Sequence, residues 1–430
     1  ILGEDYRWLM LIKLSMRIGI DDTDSPEGMC TTYLASVLIK RLERLGFPVR
    51  EARLVRLNPN VREKTRGNAA IAILVEGDPN EAFELTCRSV EELGMLNAPN
   101  THPGVVVTEE QLPVEFYRKA LTSFCTTEEA VKILDSNKAI FKGYKLGRGL
   151  IGATAAVAAE NDDWTFELLT YRLAGSFGTI RSVDKNSLFS AELLTFPHTW
   201  DSVDSENDVV VCVPHTPDPV LFGIRGESPE WIQLARSAVK SEPVGIEQMF
   251  VTNQGTDGHI LIYKDGGLIE GHSYRFNGTV SGMPQTGTGG HVSVRIESDH
   301  LSIVCMAYEP TKKFRDVIRA LIPGDSIVVF GSYKNGSLNL EKVYVAQLAE
   351  NLKIRPPVCQ KCSKRMKSAG IKKGYKCRTC HEKTMDSEKT ITPRELTPGW
   401  YEVPSIARRH LAKPLARFQE GTAIGVLKKE

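Results

Sequence analysis

From Met16 onward, short apolar runs alternate with apolar stripes at helical spacing. The run over residues 17–20 ends in acids and predicts a strand. Leu34, Val37, Leu38, Leu42 and Leu45 recur every three to four residues, and Gly46 and Pro48 end the helix they predict. Strands over 52–57 and 69–75 flank a polar loop at 58–68, and a second helix shows Phe83, Cys87, Val90 and Leu93 on one face. This alternation predicts an α/β layer over residues 16–142. Small residues at 153–159 read as helical, and strands are expected at 165–171, 208–213, 221–224 and 249–252. Ser228-Pro229-Glu230 carries the signals of a helix start, with Ser as cap and Pro in the first turn. Trp231, Leu234, Ala235 and Ala238 would form the face of that helix. A β-α-β alternation of this size over 143–265 predicts a ferredoxin-like domain.

Between residues 270 and 350 the period falls to two. Val292, Val294 and Ile296 alternate with polar residues, as do Leu301, Ile303 and Cys305. One helix interrupts them, with Thr311 as its expected cap and Phe314, Val317, Ile318 and Leu321 on its face. Strands at 326–330 and 338–345 meet at the turn Lys334-Asn335-Gly336. Three strands, a helix and two more strands are the layout of an OB-fold β-barrel, which commonly holds single-stranded nucleic acid. The expected fold class is therefore multidomain, part α/β and part α+β.

Composition refines this picture. A chain of 430 residues is long enough for two to four domains. With 41% hydrophobic and 25% charged residues, and no apolar run near the length of a membrane span, a membrane protein is excluded. Residues 1–15 read as an upstream extension or a remnant; Trp8 to Ile12 is apolar, but no small-residue cleavage site follows. The net charge of +1 hides an asymmetry. Residues 351–430 hold 19 basic and 7 acidic residues, so the first 350 carry the acidic excess. A basic C-terminal fifth on an acidic body predicts a polyanion gripped at that end. Five of the nine cysteines are scattered singly, which fits a reducing cytoplasm.

The four clustered cysteines form Cys359-x-x-Cys362 and Cys377-x-x-Cys380. Two such knuckles set four thiolates at tetrahedral corners, the closed coordination of a structural zinc. The lysines between them make the segment 356–385 a basic zinc ribbon, followed by a basic tail over 386–430. At the other end, Asp21-Asp22-Thr23-Asp24 crowds three carboxylates where the first strand stops. Such crowding points to a divalent metal carrying phosphates. Asp22 and Asp24 are the favoured ligands, because alternate residues in an extended turn point the same way. Thr31 and Thr32 open the next helix. There a hydroxyl accepts a phosphoryl group under the helix dipole, or Thr31 is simply a helix cap.

Three further loops are weaker candidates. Lys64-Thr65-Arg66-Gly67-Asn68, after Arg56-Leu57-Asn58, offers charge and close backbone approach to phosphates, or is a surface hairpin. Gly147-Arg148-Gly149 is similar. The loops at 214–219 and 252–257 offer carboxylates and amides suited to a small cation such as a guanidinium, or are plain turns. The sequence has no Walker GxxxxGK[ST], kinase catalytic loop or Rossmann GxGxxG.

Together, the run Gly19 to Ser25 with Gly28-Met29-Cys30-Thr31-Thr32-Tyr33, the loop Lys64 to Asn68, Gly147 to Gly152, Phe222 to Glu227 and Ala407-Arg408-Arg409-His410-Leu411 resemble the archaeal tRNA(Ile) 2-agmatinylcytidine (agmatidine) synthetase family. The resemblance implies an atypical kinase-like catalytic domain over 16–142, then the ferredoxin-like domain, the OB domain and the zinc ribbon. It also implies the reaction: agmatine replaces the 2-carbonyl oxygen of the first anticodon cytidine of an isoleucine tRNA, and ATP is cleaved to AMP. Catalytic roles fall on Asp21, Asp22, Asp24 and Thr31, with Thr32 as the fallback phosphoryl acceptor. Thr23, Ser25, Thr32, Asn58, Lys64, Arg66, Gly67, Asn68 and Arg148 are expected around ATP, with magnesium on Asp22 and Asp24 and structural zinc on Cys359, Cys362, Cys377 and Cys380. Arg408 and Arg409 are expected to grip the tRNA. The competing reading is a non-catalytic RNA- or single-stranded-DNA-binding protein built on the barrel and the ribbon. Against it, carboxylates repel a phosphate backbone unless a metal intervenes.

Overall fold

The computed structural model describes residues 15–264, 266–298, 301–419 and 421–427, so the extension at 1–15 lies, but for Ser15, outside the described residues. Strand β1 (Ser15–Asp21) buries Met16, Ile18 and Ile20 on one face. Helix α1 (Thr31–Arg44), β2 (Val49–Arg56), β3 (Ala69–Glu76) and α2 (Pro79–Leu93) follow as the pattern predicts. Next come β4 (Gly104–Thr108), α3 (Val114–Thr122), α4 (Thr127–Ser136), β5 (Ile140–Gly143) and α5 (Gly149–Val157). The second half adds β6 (Thr165–Arg172), α6 (Lys185–Thr195), β7 (Thr199–Trp200), β8 (Val203–Asp204), β9 (Val209–Val210), β10 (Val220–Gly226), α7 (Pro229–Ala238) and β11 (Val244–Thr252).

These two halves share one sheet. Among the described residues its order is β5-β4-β1-β3-β2-β11-β6-β10-β7. Neighbours run antiparallel except at the join, where Val251 and Thr252 of β11 lie parallel to Arg53 and Leu54 of β2. Helix α1 spans the join: its apolar face packs in one core with Leu169, Tyr171 and Phe250 of the second half. On the opposite face α5 lies almost against β1, because Gly19 has no side chain; a Cβ there would meet the Ala153 carbonyl oxygen at 2.4 Å.

After β12 (Ile260–Ile262), strands β13 (Ser273–Val280), β14 (Gln285–Thr286), β15 (Val292–Glu297), β16 (Ser302–Ala307), β17 (Ser326–Lys334) and β18 (Ser337–Gln347) build a small barrel, with α8 (Phe314–Arg319) between β16 and β17. Five strands close a ring, β13-β15-β16-β18-β17, in which only β16 and β18 pair in parallel. The turn between β17 and β18 places Asn335 and Gly336 at positive φ (53° and 75°), a two-residue hairpin geometry. Strands β19 (Asn351–Arg355) and β23 (Glu388–Thr392) pair as a two-stranded stalk to the ribbon. The ribbon contains β20 (Lys367–Ser368), β21 (Tyr375–Lys376) and β22 (Lys383–Thr384), and β24 (Gly399–Glu402) returns to β18 of the barrel.

Several local expectations are corrected. The strand expected at 208–213 shrinks to Val209–Val210, because its partner is only the two-residue Val203–Asp204. Helix α7 does start after Ser228, but its side chain makes no cap bond, and the buried face is Ile232 and Ala235 while Leu234 is exposed. Helix α8 starts after Lys313; Thr311 instead closes a preceding 3-10 turn, its hydroxyl donating to the Tyr308 carbonyl. The Arg408-Arg409 pair is not a free RNA grip. Arg408 is held by Asp201 and Glu402, and Arg409 by Asn60, Ser332 and Glu341. A buried guanidinium must be paired, and the acidic body supplies the partners.

The barrel meets the sheet domain through buried charge. Glu341, wholly buried, faces His259, Arg409 and Lys342; burial pushes its carboxyl up, but these three together bring it down to about 2. A carboxylate with a lowered pKa stabilises the fold above its unfolded value and loses that contribution as pH falls. We expect about 3 kcal/mol to vanish between roughly pH 4.5 and 2. Urea unfolding at pH 7 and pH 3 measures it, and Glu341→Gln should flatten the difference.

Candidate active site

At the end of β1 the backbone turns sharply: Asp22 adopts positive φ (57°). Its N–H donates to Asp21 Oδ1 at 2.7 Å, and its own Oδ2 accepts from Arg148 at 3.0 Å and from the His102 N–H at 3.2 Å. Asp24 is paired with Arg66, whose guanidinium also donates to the Met29 carbonyl at 2.7 Å. The crowded carboxylates are thus held by two arginines from distant loops. Compensation is partial. Burial raises all three carboxyls: Asp21, wholly enclosed beside Asp22, goes well above the usual range, and Asp22 rises to about 6 despite Arg148 and the His102 N–H. Asp24 rises through burial, with Arg66 opposing.

Thr31 is the first residue of α1, not its cap. The cap position is Cys30, which makes no side-chain cap bond, and the first turn contains no acid. The N-terminal N–H groups of α1 are therefore left for an anion. The Thr31 hydroxyl accepts from Thr23 Oγ1 at 3.0 Å, and Thr32 Oγ1 contacts Cys30 Sγ at 3.0 Å. Helix α5 starts directly beneath the acidic turn. Gly152 allows this, since a Cβ there would lie 1.9 Å from Asp21 Oδ2. Gly152→Ala should therefore displace the Asp21 carboxylate. We expect it to cost roughly 1–3 kcal/mol by overpacking, read by a thermal melt.

The acidic turn opens onto a cleft of about 750 Å³ between the two halves of the sheet. Asp21, Asp22, Asp24, Thr31, Thr32, Lys64, Arg66, Gly67, Asn68 and Arg148 all line it. Thr23, Ser25 and Asn58 do not; each is buried in supporting structure. Asn58 Nδ2 bridges the Ser123 and Gly271 carbonyls toward the barrel, and the Ser25 hydroxyl accepts from the Glu27 N–H within the turn. Of the two polar loops, 214–219 contributes Pro214 and Asp218 to the cleft, Asp218 lying 3.8 Å from Arg66. The loop 252–257 instead sews the structure together: Thr252 donates to the Leu54 carbonyl and Asn253 to the Arg56 carbonyl.

On the opposite wall, sequence reasoning left out Glu167. Glu167 on β6 accepts from Gln254 Nε2 at 2.5 Å and Arg225 Nε at 3.1 Å, with Arg56 at 3.7 Å. A lone acid in the apolar strand TFELLTYR was the available signal. Among the described residues, one group of metal-type side chains converges: Cys359, Cys362, Cys377 and Cys380. Their nearest sulfur pairs lie 3.3–3.7 Å apart, close to the roughly 3.8 Å edge that Zn–S bonds of about 2.3 Å imply.

Comparison with known proteins matches this architecture. Residues 17–79 match the model of the TiaS TCKD domain, 147–259 the TiaS FLD domain and 356–396 the TiaS C-terminal zinc ribbon domain. The isoleucine-tRNA 2-agmatinylcytidine synthetase TiaS of Methanocorpusculum labreanum is 48% identical over 94% of this chain and 97% of the relative. The chain belongs to the TiaS family. The Archaeoglobus fulgidus TiaS is 45% identical over 93% of the chain and 97% of its own length. A solved complex of TiaS with its isoleucine tRNA and ATP superposes with a TM-score of 0.90 at 44% identity, covering 96% of this chain and 99% of that one. A complex of TiaS with the same tRNA, AMPCPP and agmatine gives 0.87 at 42% identity, covering 96% and 99%. In family terms, the acidic turn and the Lys64–Asn68 loop belong to the TCKD segment, whereas Arg148, Glu167 and Arg225 come from the FLD segment. The cleft is therefore shared between the two.

Proposed function

We propose that this chain is an ATP-dependent ligase that joins agmatine to the 2-position of the first anticodon cytidine of an isoleucine tRNA. The observation that carries it is near full-length likeness to TiaS bound to its isoleucine tRNA, an ATP analogue and agmatine, together with an acidic, arginine-lined cleft in this chain. The base carbonyl oxygen is a poor leaving group until it is phosphorylated. Phosphoryl transfer demands positioning and charge stabilisation, and the cleft offers both. Arg66, Arg148 and Lys64 would receive phosphates, with the α1 N-terminus beside them. Asp22 and Asp24 would hold magnesium: both line the cleft, and burial leaves their negative charge under-compensated, which a divalent cation relieves. The ion, when bound, neutralises charge on the transferring phosphoryl group. Arg148 and Arg66 would then leave the carboxylates for phosphate oxygens. Asp21 would orient the turn through the Asp22 N–H, and Thr31 would be the phosphoryl acceptor on the enzyme.

The domain reading is also ours. The second half runs β-α-β-β-α-β, and its strands lie in the order fourth, first, third, second, which supports a ferredoxin-like domain over 143–265. The ring order of the barrel supports an OB fold over 270–350, which would hold the RNA with the exposed lysines of the ribbon at 356–385. The segment 16–142 is the kinase-like unit, with the basic tail at 386–430. Among the described residues no helix is long and apolar enough to cross a membrane. An enzyme that acts on tRNA would work in the cytoplasm.

The test is ATP consumption. AMP should form only when a transcript of the isoleucine tRNA and agmatine are both present, and mass analysis of the nucleoside should show the agmatine adduct. No ATP use under these conditions would favour an RNA-binding module, and an adduct with another amine would change the substrate.

A further inference from the structure

The far wall of the cleft is closed by a side chain from the opposite end of the chain. After β24 the backbone leaves the barrel and crosses the sheet domain, and three successive residues serve three places. Arg408 enters the Asp201–Glu402 pair, Arg409 reaches Ser332 of the barrel, and His410 lines the cleft. The His410 carbonyl accepts from the Gly255 N–H at 2.8 Å, and Leu411 behind it is buried. The imidazole lies against the phosphate-type loop so closely that a Cβ on Gly67 would meet its Cδ2 and Nε2 at 3.0 Å. Yet Nδ1 is buried with no partner, and no hydrogen bond from the described residues reaches Nε2. Leaving a buried polar atom unpaired is costly. The ring lies against Gly67 with neither nitrogen paired among the described residues, which leaves both free for a ligand.

The other titratable groups around the cleft are engaged or unsuited. Glu167 is saturated by Gln254, Arg225 and Arg56, and Asp218 faces Arg181 and Arg66. In the acidic turn Asp22 sits with Arg148 and Asp24 with Arg66, while Asp21 accepts from the Asp22 N–H. Burial raises the Cys30, Cys125 and Cys212 thiols, which keeps them protonated, and Lys64 donates to the Pro59 carbonyl. Glu63 is exposed, and Glu128 is held below the usual range by its own backbone N–H at the start of α4. His410 is the remaining base. Burial first, then the facing Arg56 and Arg225, hold it well below the usual imidazole value, so a lone pair is present at neutral pH.

On the ligase reading above, on which this inference rests, the chemistry calls for such a lone pair. Agmatine's amine is an ammonium in water, with a pKa of about 10 like that of lysine. One proton leaves to water before attack. The second must leave the nitrogen as the C–N bond to C2 forms, while the C2–O bond breaks and phosphate departs with its electron pair. We infer that a free ring nitrogen of His410 accepts that second proton, making His410 the general base of the amine-transfer step. The proton passes to water after phosphate has left, and the barrel-anchored segment is the device that delivers the base.

The test is single-turnover formation of the agmatine adduct on a transcript of the isoleucine tRNA by the full chain. His410→Ala should slow it roughly 10²–10⁴-fold. His410→Gln, which refills the space beside Gly67 without a basic nitrogen, should remain slow. Added imidazole should restore the His410→Ala rate, and methylated imidazoles should do so in order of their basicity. Wild-type speed in His410→Gln, or a His410→Ala enzyme indifferent to imidazole, overturns the inference alone. A wild-type protein that forms no adduct overturns the ligase reading and the inference with it.

Discussion

Asp22→Asn should lower AMP formation by roughly 10³-fold or more while leaving the protein folded. Asparagine tolerates the positive φ that residue 22 requires (57°), and it can still accept from the His102 N–H. What it lacks is charge. Arg148 loses its ionic partner and, on the proposed reading, magnesium would lose a ligand, so the deficit would fall on the step that handles phosphates. The wild type should imitate the variant in acid. With the free Asp22 carboxyl raised to about 6, the ionised form is present above that pH and is lost below it. Magnesium affinity, measured calorimetrically, should weaken from pH 7 to pH 5 in the wild type and stay low in Asp22→Asn. Unchanged turnover in Asp22→Ala would remove the acidic turn from the chemistry.

Zinc removal should have the next largest effect, confined to one end of the molecule. The ribbon's buried core is Cys359, Met366 and Cys377, so two of its three buried residues are metal ligands. A segment with so little apolar burial folds on metal-binding energy, which in comparable small zinc domains is on the order of 10 kcal/mol. Chelation, or Cys377→Ser, should abolish amide protection across 356–396 and leave the sheet domain and barrel unchanged. Exposed Lys364, Lys367, Lys372, Lys373 and Lys376 would lose their common scaffold. Affinity for tRNA should fall and its salt dependence become shallower, by about one unit of slope per lost phosphate contact. A ribbon equally protected without zinc would contradict this account.

Local patterns were legible where one face of an element is buried. Strand β1, helix α1 and the alternating barrel strands all sit within a few residues of their expected places, because period decides which side chains meet the core. Capping was less legible: Thr311 has the right chemistry for a cap, but Pro310 pulls it into a separate 3-10 turn. The join of the two half-sheets could not be read, since it rests on two residue pairs nearly two hundred positions apart. The site divides in the same way. Contiguous motifs announced Asp21 to Asp24, Thr31 and the Lys64–Asn68 loop. Glu167 arrives singly from β6, whereas Asp218 and His410 lie in stretches the sequence singled out, and only folding brings the three to one cleft.

The segment after β24 also sets an order of events during synthesis. The acidic turn, the Lys64–Asn68 loop and α1 leave the ribosome before it. The wall that His410 completes is supplied only when the residues after β24 emerge, cross from the barrel and lock through Arg408 and Arg409. A nascent or C-terminally clipped chain would therefore carry its phosphate-handling residues beside an open wall.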